Sequence, residues 1–342
     1  MLYEKYLSAS LVAIGLLRFS SALEPLTIMS IGAAAAAAGA GWFKFDFLKK
    51  HTYCRFNECC MVPYLKNDID GLSRKLKRNL FGQHIVQDTL ISALMGHLNN
   101  IESSSKPLVM YFDGTTGTGK NYVTDFIISS FYEKGINSKY VLKFAADLWI
   151  TYPSHEVTSK LINNVKEKIK ECKYSLFVFD ETQKMPNGAL DALVPLLDHH
   201  SSSLEFDYTK SIFIFLSNSA GIEIANRLKD LITHTGRLRE DTKLVDFEEI
   251  TELAGFNIIG ALKHSPLITS KVIDYYIPFL PLEEGHAKQC IQAEFENYCP
   301  RRMTKEKINE VSKLTIKLDD TGMFQVHGCK QISKKVEAMC YT

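Results

Sequence analysis

At 342 residues the chain is long enough for two domains, or for one domain with a smaller lobe. With 46% hydrophobic and 23% charged residues, a packed globular core is within its reach. A net charge of +1, with lysines and arginines spread along the chain, leaves no basic footprint for nucleic acid, which we set aside as a partner.

Residues 1–22 are signal-like. The run "LSASLVAIGLL" (7–17) has the length of a secretory apolar region, follows Lys5, and precedes the small residues Ser20, Ser21 and Ala22. An uncleaved anchor or a buried helix are the alternatives. Residues 23–50 form a hydrophobic, membrane-associating segment. Its core, "LTIMSIGAAAAAAGAGWF" (26–43), is uncharged, but its alanines and glycines contribute little to insertion, so it is marginal as a span. Trp42, Phe43, Phe45 and Phe47, followed by Lys49 and Lys50, give it an interfacial edge. We expect a helix lying in one leaflet of a membrane surface, or a weak hairpin, rather than a full crossing. A docking segment for another protein is the alternative.

Residues 51–280 read as a nucleotide-binding domain. A turn at Gly82 opens an amphipathic helix that runs to about residue 98. "PLVMYFDG" (107–114) is a buried strand, and residues 121–135 have helical spacing with a glycine stop. Between them "GTTGTGKN" holds Gly114, Thr115, Thr116, Gly117, Thr118, Gly119, Lys120 and Asn121. A glycine-rich loop between strand and helix cradles phosphate with backbone N–H groups, and Lys120 reaches the β- and γ-phosphates. The pattern calls for Ser or Thr after the lysine, where a hydroxyl holds Mg²⁺; Asn121 stands there instead.

"SLFVFDE" (175–181) is a second buried strand ending in two carboxylates. Asp180 suits Mg²⁺ held through water, and Glu181 suits polarising an attacking water. The next stretch, "TQKMPNGALDALVPLLDHH" (182–200), reads as a helix closing the unit. "SIFIFLSN" (211–218) is a third strand, and Asn218 at its end can orient water or contact the γ-phosphate. A linker is expected at "PFLP" (278–281), followed by a helical lobe over 281–342.

The eight cysteines are Cys54, Cys59, Cys60, Cys172, Cys290, Cys299, Cys329 and Cys340. No C-x-x-C occurs, so a structural zinc is not expected, and their connectivity stays open on sequence alone.

"GTTGTGKN", "FVFDE", "IFIFLSN" and "GCK" (328–330) resemble, in order, the Walker A, Walker B, sensor 1 and sensor 2 elements of the torsin family, AAA+ ATPases related to Clp-type unfoldases. "YCRFNECC", "NLFGQH", "YIPFLPLE" and "KQCIQAEF" also look like torsin segments. The resemblance implies an α/β fold: an AAA+ P-loop domain with a central parallel sheet flanked by helices, plus a smaller C-terminal helical lobe. It implies ATP and Mg²⁺ as ligands, with Lys330 on the nucleotide. It implies a location in the endoplasmic reticulum lumen and nuclear envelope. It also implies a reversible Cys290–Cys329 pair beside Lys330, and a structural Cys54–Cys172 pair.

Clp-type relatives carry an arginine before the final strand, used on a neighbour's phosphates. The corresponding "SKVIDYYIPFLPLE" here has Lys271 and no arginine. Such an arginine is worth a factor of roughly 10³–10⁵. The resemblance implies that the lumenal domain of a lamina-associated-type transmembrane activator donates it. A homo-oligomer is a further possibility. The expected function is a partner-activated ATP hydrolase acting on protein or membrane assemblies. The alternatives are an ATP-gated binding switch, or a membrane-remodelling filament protein with little hydrolysis.

Overall fold

The computed structural model describes residues 54, 57–61, 65–149, 151–199, 206–257 and 261–341. The signal-like segment and the membrane-associating segment lie outside the described residues. Contacts divide the chain into two compact units, residues 1–59 and residues 60–342. No helix among the described residues is long and apolar enough to cross a membrane.

Five strands build the second unit: β1 (Leu108–Gly114), β2 (Val141–Ala145), β3 (Leu176–Asp180), β4 (Ile212–Ser217) and β5 (Tyr275–Phe279). Every pairing is parallel, in the order β2-β3-β4-β1-β5. Parallel sheets need cover on both faces, so their strands read as unbroken apolar runs, as β1, β3 and β4 do. The two faces are sorted by the period of two. Leu108, Met110 and Phe112 of β1 join Leu176, Val178, Ile212, Ile214 and Leu216 on one face. Val109 and Tyr111 join Phe177, Phe179, Phe213 and Phe215 on the other. There the rings stack across strands, Phe177 on Phe213 at 4.6 Å and Phe179 on Phe215 at 4.8 Å.

The first face is covered by α1 (Ile69–Asn79), α2 (His84–Asn99) and α3 (Lys120–Phe131). Asp68 caps α1, accepting from Gly71 N at 2.8 Å. On the aromatic face α4 (Ser154–Glu171) supplies Val157, Leu161, Val165 and Ile169. The helix expected over 182–200 is not there as one piece. Short 3₁₀ turns at Thr182–Lys184 and Asp191–Leu193 flank a break, and only α5 (Val194–Leu197) is α-helical. Pro186 and Gly188, whose φ is +75°, stop the helix between the two turns.

After β4 come α6 (Gly221–Thr233), α7 (Glu248–Asn257) and the single turn α8 (Pro266–Thr269). The lobe consists of α9 (Glu284–Tyr298), α10 (Lys305–Thr315) and α11 (Ile332–Met339) around Ala287, Ile291, Phe295, Val311, Ile332 and Val336. The "PFLP" stretch is not an exposed linker. Pro278 lies inside β5, opposite Asp113, and Leu280 and Leu282 are buried. Proline is tolerated because β5 is an edge strand with no ladder partner on its outer side.

Four disulfides are present: Cys54–Cys59, Cys60–Cys172, Cys290–Cys329 and Cys299–Cys340. The expected Cys290–Cys329 pair is found. The expected Cys54–Cys172 pair is not: Cys54 closes a short loop with Cys59, and the neighbouring Cys60 takes Cys172 at the end of α4.

Candidate functional site

The loop between β1 and α3 is held from below by a carboxylate the sequence reading passes over. Asp113 is fully buried at the end of β1. Its Oδ1 accepts from Gly114 N at 2.7 Å and from Ala220 N at 2.9 Å. Its Oδ2 accepts from Tyr111 Oη at 2.8 Å and from the Ser219 hydroxyl. Burial pushes the carboxyl up from its usual range, against the pull of those donors. One side chain thus ties the start of the phosphate loop to the turn that follows β4 and Asn218. The sequence signal was there: an Asp closing an otherwise apolar strand, directly before the loop glycine.

Lys120 opens α3 and turns back over the loop. Its Nζ donates to Gly114 O at 2.6 Å and Thr115 O at 2.9 Å, leaving a third N–H for a ligand. Burial pushes this ammonium down to about 8, while Asp113, Asp180 and Glu181 pull the other way. Gln83, also unassigned from sequence, is buried beside the loop. It donates to Thr118 O at 3.1 Å and Leu280 O at 2.8 Å, and accepts from Leu280 N at 2.9 Å, so it fixes the loop to the exit of β5.

Across the cleft, Asp180 and Glu181 stand at the end of β3. Asn121 Nδ2 donates to Asp180 Oδ2 at 2.9 Å, so the unusual loop residue orients this carboxylate. Glu181 is in the left-handed region at φ +56°, uncommon for a residue with a side chain. Such strain gathers at sites where one orientation is required. Its carboxylate pairs with Lys184, which also reaches Asp147 at 3.1 Å. Asn218 follows β4, with its backbone N–H on Gln183 Oε1 at 3.4 Å.

The lobe closes the cleft. Gly117 and Gly328 touch backbone to backbone: a Cβ on Gly117 would sit 2.1 Å from His327 O, and one on Gly328 would sit 2.2 Å from Gly117 O. Both have positive φ, +84° and +53°. Cys329 N donates to Gly117 O at 3.0 Å, which joins the disulfide-bonded residue directly to the phosphate loop.

The resulting cleft encloses about 330 Å³, in the range of small-molecule sites. It brings together Thr116, Gly117, Thr118, Gly119, Lys120, Asn121, Asp180, Glu181, Asn218, Cys290, Cys329 and Lys330. Gly114 and Thr115 do not line it; their carbonyls hold Lys120 beneath it. Leu80, Phe81 and Leu282 add apolar lining. Among the described residues its cations are Lys120 and Lys330, and no arginine lines it. No group of three or more His, Cys, Asp or Glu is placed to cage a metal among the described residues. Mg²⁺ binds through one or two carboxylates together with substrate phosphates and water. The Asp180 carboxylate and the Asn121 amide oxygen are hard donors of the right kind.

The torsin family model matches residues 54–179. A torsin-like protein of Drosophila melanogaster is 41% identical over 327 residues, covering 93% of each chain. A torsin-like protein of Caenorhabditis elegans is 33% identical, covering 89% of this chain and 85% of its own. Human Torsin-3A is 31% identical over 83% of this chain and 72% of its own. Among solved structures, Saccharomyces cerevisiae Hsp104 in complex with ADP matches with a TM-score of 0.55 at 12% identity, over 85% of this chain. The chain spans about half the length of that Hsp104 chain (49%), and the likeness shows a shared AAA+ fold. On sequence, fold and the arrangement of its loop and strand ends, this chain belongs to the torsin family.

Proposed function

We propose that the chain binds ATP with Mg²⁺ in this cleft and hydrolyses it slowly until a partner supplies an arginine. One observation carries the reading. Lys120, Asp180, Glu181, Asn218 and Lys330 converge on one cleft that no arginine lines among the described residues. Lys120 and Lys330 hold the phosphates. Glu181 accepts a proton from the attacking water, which Asn218 orients in line with the γ-phosphate. Asp180 and the Asn121 amide oxygen would hold Mg²⁺, which would supply neutralisation of the phosphate charge. Phosphoryl transfer is governed by positioning and charge stabilisation, so a missing cation near the γ-phosphate leaves a site that binds well and turns over poorly. The Lys184 pair adds to this, because Glu181 has to leave it to reach water.

The partner we propose is the lumenal domain of a lamina-associated-type transmembrane activator. The setting is the endoplasmic reticulum lumen and nuclear envelope, with the N-terminal hydrophobic segment on the membrane surface. Four disulfides among the described residues support an oxidising compartment. Cys290–Cys329 is proposed as a redox element, since its reduction frees the segment that carries Lys330.

The test is ATP turnover by the detergent-solubilised full chain, alone and with the activator domain, with Glu181→Gln as the control. Near-zero turnover alone, a rise of about 10³-fold or more with the partner, and no rise in the control are expected. Tight ATP binding without turnover in either case would favour the binding switch.

A further inference from the structure

The segment that carries Lys330 joins α10 to α11, and part of it packs away from the rest of the lobe. The lobe's own core takes Val311 of α10 and Ile332 of α11. Between them Phe324, only 4% exposed, lies in a different cluster, with Ile224, Leu228 and Leu231 of α6, with Phe247, and with Leu280 just past β5. Met323 packs against the same cluster. A residue of the lobe segment is thus a plug in the nucleotide domain.

The local sequence builds that plug. Residues 317–326 fold back on themselves: Leu318 bridges Gln325, and Val326 N donates to Lys317 O at 2.8 Å. Asp319 closes the turn, its Oδ1 accepting from Met323 N and Phe324 N, both at 3.2 Å. Asp320 and Thr321 are exposed, so the turn meets solvent while Phe324 is buried. Gln325, also buried, fixes the next position: its N donates to Leu282 O at 2.6 Å, and its Nε2 donates to Thr315 O at 2.8 Å.

The cluster that receives Phe324 extends to the phosphate loop. It includes Ala220, whose N donates to Asp113 Oδ1 at 2.9 Å. The next residue, Gly221, opens α6 so close to the loop that a Cβ there would stand 2.9 Å from Thr115 N. Lys330 therefore lies between two anchors, Phe324 before it in the nucleotide domain and Ile332 after it in the lobe. A ring in a close-packed interior cannot slide without opening a void, so its seat fixes where the following chain begins.

Resting on the ATP reading above, we propose that Phe324 is a positioning residue for Lys330: seated in the nucleotide domain, it registers the lobe lysine against the phosphate loop, and ATP affinity depends on it through that lysine.

The experiment is calorimetric titration of the full chain in detergent with Mg²⁺ and ATP. It compares wild type, Phe324→Leu, Phe324→Ala, Lys330→Ala, and each Phe324 change combined with Lys330→Ala. Lys330→Ala is expected to weaken binding roughly ten- to a hundredfold, the worth of a hydrogen bond to a charged group. Phe324→Ala is expected to approach that loss. Phe324→Leu keeps an apolar side chain in the cluster and serves if the alanine variant does not fold; it is expected to show a smaller part of the loss. In the Lys330→Ala background neither Phe324 change is expected to weaken binding further, because the contact it positions is already gone. A plug that serves packing only would lower thermal stability and leave affinity unchanged, and that result overturns the proposal. So do losses that multiply in the combined variants, and so does a Lys330→Ala chain that binds ATP as wild type does. If wild type binds no ATP at all, the nucleotide reading fails and takes this one with it; the other outcomes leave that reading intact.

Discussion

In the proposed reading Lys120 carries the charge that meets phosphate, and its protein environment makes that charge conditional. Burial holds it down to about 8, so the ammonium is intact below that pH and lost as pH rises through it. Phosphate binding favours the charged form, so binding above about pH 8 takes up a proton. ATP affinity is expected to fall about tenfold per pH unit above that point. Titrations across alkaline pH check this, and a flat profile would show that Lys120 does not meet the phosphates. Asp113 acts one layer below. Asp113→Ala leaves the buried N–H groups of Gly114 and Ala220 without their acceptor, at about 1–3 kcal/mol each. Thermal denaturation should show that loss, with Asp113→Asn milder because its amide oxygen still accepts.

Among elements, the disulfides differ in what they close. Cys60–Cys172 spans 112 residues of chain, and Cys54–Cys59 spans 5. Loop-closure entropy makes the first worth about 5 kcal/mol and the second about 2 kcal/mol. Paired Cys→Ser variants, compared by chemical denaturation, should fall in that order. The same elements show what the sequence can and cannot reveal. The runs of β1, β3 and β4 are apolar almost throughout, so these strands and the glycine-rich loop after β1 could be read directly. The β2 strand, "VLKFA", is partly buried, with Lys143 exposed, and carries no run long enough to stand out. Residues 182–200 have helical spacing, but Pro186 and Gly188 break it locally. The cysteine pairing could not be read because it depends on where α4 brings Cys172. Asp113 and Gln83 escaped for a related reason: each works through contacts with residues 35 or more positions away in the chain.

At the scale of the whole molecule, the cleft is assembled from the sheet and the lobe, and the two meet where Cys329 N donates to Gly117 O. The sheet side brings the phosphate loop and the lobe side brings Lys330, on the residue next to the disulfide. If the cleft binds ATP as proposed, any agent that shifts the lobe acts on ATP, and ATP acts back on the lobe. Equilibrium coupling between two sites is reciprocal. If opening Cys290–Cys329 weakens ATP binding tenfold, saturating ATP must make that disulfide harder to reduce by the same factor, a change of about 30 mV in its midpoint potential. Redox titration against a dithiol buffer, with and without ATP, measures that change, and an unchanged midpoint would mean that the two chemistries are independent. ATP concentration in the compartment would then govern how readily this bond opens, so that the nucleotide protects the disulfide as much as the disulfide tunes the nucleotide site.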